Sequence, residues 1–104
     1  MPTDLPQIEE EASIDLESMW QVVLLDDDDH TYDYVIEMLM TIFGHPVELA
    51  YKMACEVDAR KRVVVDIDTK EAAELKAKEI TDFGPDWRLD RSVGSMSATI
   101  EPVE

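Results

Sequence analysis

The sequence predicts an α+β fold, a three-stranded antiparallel sheet packed against three helices in the order β-α-α-β-α-β. Three observations predict it. Two β-branched apolar runs, "WQVVLL" and "RKRVVVDID", and one alternating segment, "SMSATI", read as strands. Three segments between them place apolar residues at helical spacing. The joints carry residues that start, stop or turn the chain: Thr31, Gly44, Pro46, Thr69, and Gly84 with Pro85.

Residues 1–19 hold Asp4, Glu9, Glu10, Glu11, Asp15 and Glu17 with no Lys or Arg, and they read as a flexible acidic extension ahead of a core domain spanning 20–104. Trp20 to Leu25 form the first strand, which must be central in a small sheet or covered on both faces. Val35, Met38, Leu39 and Ile42 then stand at i, i+3, i+4 and i+7, which predicts a helix over 32–43 with Thr31 as N-cap and Gly44 as the residue that ends it. Pro46 suits the first turn of a second helix, buried along Val47, Ala50, Ala54 and Val57 and running to Asp58. A Val-rich strand over 62–68 follows. Asp68 or Thr69 caps a third helix that carries Glu71 in its first turn and buries Ala72, Ala73, Ala77 and Ile80. "GPDWRLDRSVG" is a loop, and its Trp87 covers a sheet edge or belongs to a partner surface. Met96, Ala98 and Ile100 alternate with Ser95, Ser97 and Thr99 in a half-buried last strand.

Composition narrows the function. The 104 residues suffice for one modest core, and 25 acidic against 9 basic residues give a formal charge of -16. That field repels nucleic-acid phosphates and anionic membranes and favours cationic groups as partners. No apolar run reaches the roughly 18 to 20 residues of a membrane span, and the acidic start lacks the positive region of a signal peptide, so a cytoplasmic monomer is expected. Cys55 is the one cysteine, which excludes an intrachain disulfide and reads as a small buried hydrophobe. Neither a Ser-His-Asp or Cys-His arrangement nor a Gly-rich phosphate loop is visible, so no enzymatic activity and no cofactor are expected.

The unusual feature is Asp26 to Asp29, placed directly after the first strand. Three readings apply. The run is a solvated turn whose carboxylates favour the following helix N-terminus. Alternatively it is part of a calcium loop, with Asp26, Asp28, His30 and Glu37 at positions one, three, five and twelve, although Thr31 replaces the Gly required at six and a strand, not a helix, precedes it. The third reading is a receptor for a cationic amine, with Tyr32 and the second helix as the wall that excludes water.

"WQVVLLDDDDHTYDYVIEML" resembles the signature of the ClpS family, adaptors of the Clp ATP-dependent protease, whose usual form is approximately Y-K-V-[VI]-L-x-N-D-D-x-T-P-M-x-[FY]-V. "DTKEAAELKAKEI" is similar to the family's T-x-E-x-A-E-x-K helix, and the likeness covers about residues 20–83. The resemblance implies the fold derived above and a non-enzymatic adaptor. Such an adaptor binds substrates with hydrophobic amino-terminal residues, the N-degrons of the N-end rule, and hands them to the amino-terminal domain of a ClpA- or ClpC-type unfoldase. It also implies α-amino contacts at Asp26, Asp27, Asp28 and Asp58, a pocket formed by Tyr32, Met53, Ala54 and His30, and ATPase docking through Glu71 and Lys76, with no metal. Several positions depart from the family pattern: Asp26 stands for Asn, Asp58 for His, and Tyr32 and Ala54 each for Met. The alternative is a relative with altered or lost N-degron binding that engages basic segments or modulates the ATPase.

Overall fold

The structure, a computed structural model, describes residues 19–27, 30–85 and 94–103. Among these, β1 (Met19–Leu25), α1 (Tyr32–Phe43), α2 (Val47–Arg60), β2 (Arg62–Thr69), α3 (Lys70–Thr81) and β3 (Ser97–Pro102) follow one another in the expected order. The sheet is antiparallel throughout with strand order β2-β1-β3. The expected acidic extension, apart from Met19 in β1, lies outside the described residues.

β1 is the central strand, and Val22, Val23 and Leu24 are all fully buried. Val22 and Leu24 join one apolar cluster with Val35, Met38 and Leu39 of α1, Ala50, Ala54 and Val57 of α2, and Ala73 and Ile80 of α3. Val23 points to the opposite face. There Arg62 of β2 and Glu101 of β3 form an ion pair, N···O 2.7 Å. Arg62 lies opposite Leu25 and Glu101 opposite Gln21, so the pair crosses the central strand at Val23 and covers it.

The helix ends follow local chemistry. Thr31 accepts a hydrogen bond from the Tyr34 N–H at 3.1 Å, and Gly44 closes α1 in the left-handed conformation, φ 71°, where a Cβ would be strained. Pro46 sits one position earlier than expected, as the extended N-cap of α2, and α2 runs two residues beyond Asp58. Val47 is a correction: it was expected in the buried stripe and is 49% exposed. It is the first residue of α2, beside the turn where α1 has already ended, so no neighbouring helix covers it. Thr69, not Asp68, caps α3 through the Ala72 N–H, while Asp68 accepts from the Thr69 N–H. The last strand begins two residues later than expected and extends to Pro102.

β2 carries a bulge that alternation does not announce. Val22 pairs with Asp66 but Val23 with Val64, leaving Val65 as the extra residue. Val65 and Asp66 therefore both face the helices. Val65 belongs to the core, and Asp66 Oδ2 lies 3.8 Å from Lys76 Nζ of α3. His45 Nε2 donates to the Val65 carbonyl at 2.7 Å, and the same ring stacks on Phe43. Beyond the bulge Ile67 turns to the open face and is 48% exposed. Leu24→Ala is accordingly expected to cost about 2–5 kcal/mol in urea unfolding, and Ile67→Ala no more than about 0.5 kcal/mol, although period-two reading would make both core residues.

Candidate functional site

Three chain ends meet at one corner: the end of β1, the start of α1 and the end of α2. The Asp26 N–H donates to the Lys61 carbonyl at 3.1 Å, and Lys61 Nζ lies 3.4 Å from Asp26 Oδ2. Lys61 holds φ 72°, a left-handed conformation that is costly for a residue with a Cβ, and its N–H closes α2 on the Val57 carbonyl. The Asp26 side chain is consequently enclosed, 11% exposed, while Lys61 remains largely in solvent. Asp58, three residues before Lys61, is exposed and accepts a hydrogen bond from the Tyr32 phenol, 2.7 Å to Oδ2.

A second set of contacts braces the loop from beneath. The His30 side chain is 3% exposed, with Nδ1 2.9 Å from Asp27 Oδ1 and Nε2 2.8 Å from the Gly94 carbonyl. A carbonyl only accepts, so Nε2 donates to Gly94. The ring stacks on Tyr34 at 4.4 Å, Tyr34 donates to the Gly84 carbonyl, and Gly84 is joined to Ser95 by two hydrogen bonds. The two ends of the expected loop over 84–95 are thus tied together behind the aspartates, and Trp87 lies outside the described residues.

Of the expected amine contacts, the structure brings Asp26 and Asp58 to the same corner and ties Asp27 to His30; Asp28 and Asp29 lie outside the described residues. Of the expected pocket residues, Tyr32 is exposed at the start of α1, Ala54 is fully buried, and Met53 packs partly buried against the core. His30 serves as the brace described above. A groove of about 470 Å³ opens on the outer face of the α1–α2 hairpin, lined by Ile36, Val47, Glu48, Tyr51 and Lys52. It was not foreseen. It connects to the corner through the Tyr32 and Tyr51 rings, 6.2 Å apart, and its one sequence signal is large apolar residues off the buried stripes. Among the described residues no group of three or more His, Cys, Asp or Glu is placed to hold a metal, and no helix is long and apolar enough to cross a membrane.

The docking candidates sit on α3. Glu71 is exposed in the first turn. Lys76 is half-buried, between Asp66 and the Phe43 ring, 5.1 Å from its centroid. Five residues place the two about 140° apart around the helix. Leu75, unremarked in the sequence, is 58% exposed one turn from Glu71.

This architecture, with a charged corner at the end of the central strand, is that of a small α+β module whose helices cover one face of a three-stranded sheet. Residues 15–85 match the family described as ATP-dependent Clp protease adaptor protein ClpS. The Clp protease adapter protein ClpS of Campylobacter jejuni is 36% identical over 73 residues, 70% of this chain and 76% of the relative. That of Nautilia profundicola is 33% identical over 79 residues, 76% and 80% of the two chains. The solved structure of Agrobacterium tumefaciens ClpS2 bound to L-phenylalaninamide superposes with TM-score 0.71 at 26% identity, covering 83% of this chain and 98% of that one. The chain belongs to the ClpS family of Clp protease adaptors.

The Tyr32 phenol is pushed up to about 12 from its ordinary 10.0, first by its hydrogen bond to Asp58, then by desolvation and the Asp58 charge. Because the folded value is raised, the contact stabilises the fold below about pH 10 and is lost as pH rises through about 12. In an absorbance titration of tyrosinate, Asp58→Asn is expected to move this phenol back toward 10, with Tyr32→Phe identifying its contribution.

Proposed function

We propose that this adaptor binds the free α-amino group and the bulky hydrophobic first side chain of N-degron proteins and delivers them to a ClpA- or ClpC-type unfoldase. The observation that carries the reading is the corner itself, where the enclosed Asp26 and the Tyr32-held Asp58 stand with Asp27 and its brace His30 at the end of a rigid strand. The family pattern assigns Asp28 as a further acceptor. An ammonium donates three hydrogen bonds and gains most from ionised acceptors, which the replacements of Asn by Asp at 26 and of His by Asp at 58 supply. In this reading Tyr32, Met53, Ala54 and His30 are the residues assigned to the first side chain by the family pattern, with Tyr32 and Ala54 altering the shape it meets. The ligand in the related Agrobacterium structure, L-phenylalaninamide, has this chemistry: a free α-amino group and an aromatic side chain.

Delivery needs no chemistry from the adaptor. Tethering a substrate beside the unfoldase raises its local concentration to about the millimolar range with short flexible linkage. Glu71 and Lys76 are the docking residues of this reading, with Leu75 exposed beside Glu71 as an apolar contact.

Calorimetric titration with peptides beginning with Phe, Leu, Trp or Tyr, and then with the same peptides acetylated, tests substrate capture. Acetylation is expected to weaken binding at least about tenfold, since each hydrogen bond between charged groups contributes about 1.5–3 kcal/mol. Equal binding of both forms would defeat the reading in favour of internal basic segments. For docking, Glu71→Ala combined with Lys76→Ala is expected to weaken association with a Clp ATPase amino-terminal domain about tenfold or more, because both partners are polar and their loss leaves unpaired groups across the interface. Circular dichroism would show the module still folded, and an unchanged affinity would move the interface elsewhere.

A further inference from the structure

Resting on the amine-binding reading, we infer that Tyr32 is a positioning residue: its hydroxyl holds one oxygen of Asp58 and leaves the other oxygen to accept an incoming ammonium group. The hydroxyl donates to Oδ2 at 2.7 Å, and the Asp58 side chain makes no other hydrogen bond or ion pair among the described residues. Tyr32 stands in the first turn of α1 and Asp58 in the last turns of α2, so two rigid helices rather than a loop set the geometry.

The nature of the donor matters. Asp58 lies in the last turn of α2, where the backbone offers unpaired carbonyls rather than free N–H groups, so a side-chain donor must orient its oxygens. A lysine there would hold the carboxylate but cancel its charge, as the neighbouring Lys61 partly does for Asp26. A phenol orients the carboxylate while remaining neutral itself, so the charge stays available to a ligand. Tyr32 has an aromatic neighbour: its ring is tilted against that of Tyr51 on α2, with centroids 6.2 Å apart. The titratable groups facing the phenol are Asp58, Cys55 and Tyr51. The raised ionisation of the phenol is the spectroscopic counterpart of this contact. Tyr32 and Asp58 thereby act as one unit in place of the Met and His of the family pattern.

The same contact read as a latch, with the hydroxyl competing against the ligand, has the opposite sign, and this makes the experiment decisive. Binding of a short peptide beginning with Phe is measured for the full chain at neutral pH, for wild type, Tyr32→Phe, Asp58→Asn and the double variant, with an acetylated peptide as control. Positioning predicts that Tyr32→Phe weakens binding of the free-amine peptide about fivefold to tenfold, the scale of one charge-assisted hydrogen bond that is shared rather than lost. It adds less than about twofold in the Asp58→Asn background, as expected for residues acting through one another. The Tyr32 Cζ resonance, assigned by its loss in Tyr32→Phe, is expected to shift when the free-amine peptide is added and to stay in place with the acetylated one. Binding by Tyr32→Phe that equals or exceeds wild type overturns the inference, as does an equal loss in both backgrounds. Should wild type bind acetylated and free peptides alike, the amine-binding reading itself falls and takes this inference with it. A wild type that discriminates between them while Tyr32→Phe changes nothing removes this inference alone.

Discussion

Complete burial of the middle of the central strand is the constraint on which the rest of the molecule depends. Val22, Val23 and Leu24 are consecutive, so their side chains alternate between faces and both faces must be covered. The helices cover one. On the other, an ion pair between the two edge strands lies across Val23, and the Arg62 stem supplies apolar cover that the charge alone would not. With β1 fixed in this way, the chain leaves the sheet at Leu25 at a defined height. Asp26 then meets the end of α2 through a backbone hydrogen bond before any side-chain contact is made. The acidic run is therefore a consequence of strand placement in position, if not in composition.

The corner divides into a braced half and an open half. His30, Tyr34, Gly84, Gly94 and Ser95 form a continuous set of hydrogen bonds and ring contacts, much of it shielded from water, and it fixes Asp27 from behind. Asp58 and Tyr32 face solvent and meet through a single bond. Such an arrangement is preorganised where rearrangement would be costly and adaptable where the corner opens to solvent, because an exposed hydrogen bond exchanges with water at little net cost while an enclosed one does not.

The legible parts of the fold are those written locally. The α1 limits, Thr31 and Gly44 followed from spacing and capping chemistry, and the strand order of the chain followed from period and turn residues. The bulge at Val65 was not legible, since one extra residue leaves no mark in an alternating run, yet it alone turns Asp66 toward Lys76 and Ile67 toward solvent. Val47 obeyed the helical period but lay past the end of the helix that would have covered it. At the site, residue types pointed to an acidic receptor, whereas the pairing of Tyr32 with Asp58 across 26 positions, and the burial of His30 against Gly94, depend on how the helices and loop ends pack. Pairwise geometry of that kind is a property of the fold and not of any short segment.

Charge and geometry then divide the work of recognition. A net charge of -16 on a small domain draws cations from beyond contact distance, but at physiological salt that attraction fades over about 8 Å and does not distinguish an α-amino group from a lysine. Selection requires carboxylates whose orientations are set before the ligand arrives. Asp26 is oriented by a cation and Asp58 by a neutral hydroxyl, so the two differ in the charge they have left to offer. On the proposed reading, an ammonium entering the corner gains more from Asp58, which has no cation beside it among the described residues, while Asp26, paired with Lys61 and enclosed, acts chiefly through direction. On that reading the acidity of the whole chain governs which partners approach, and the asymmetry between the two carboxylates governs how an amine is seated.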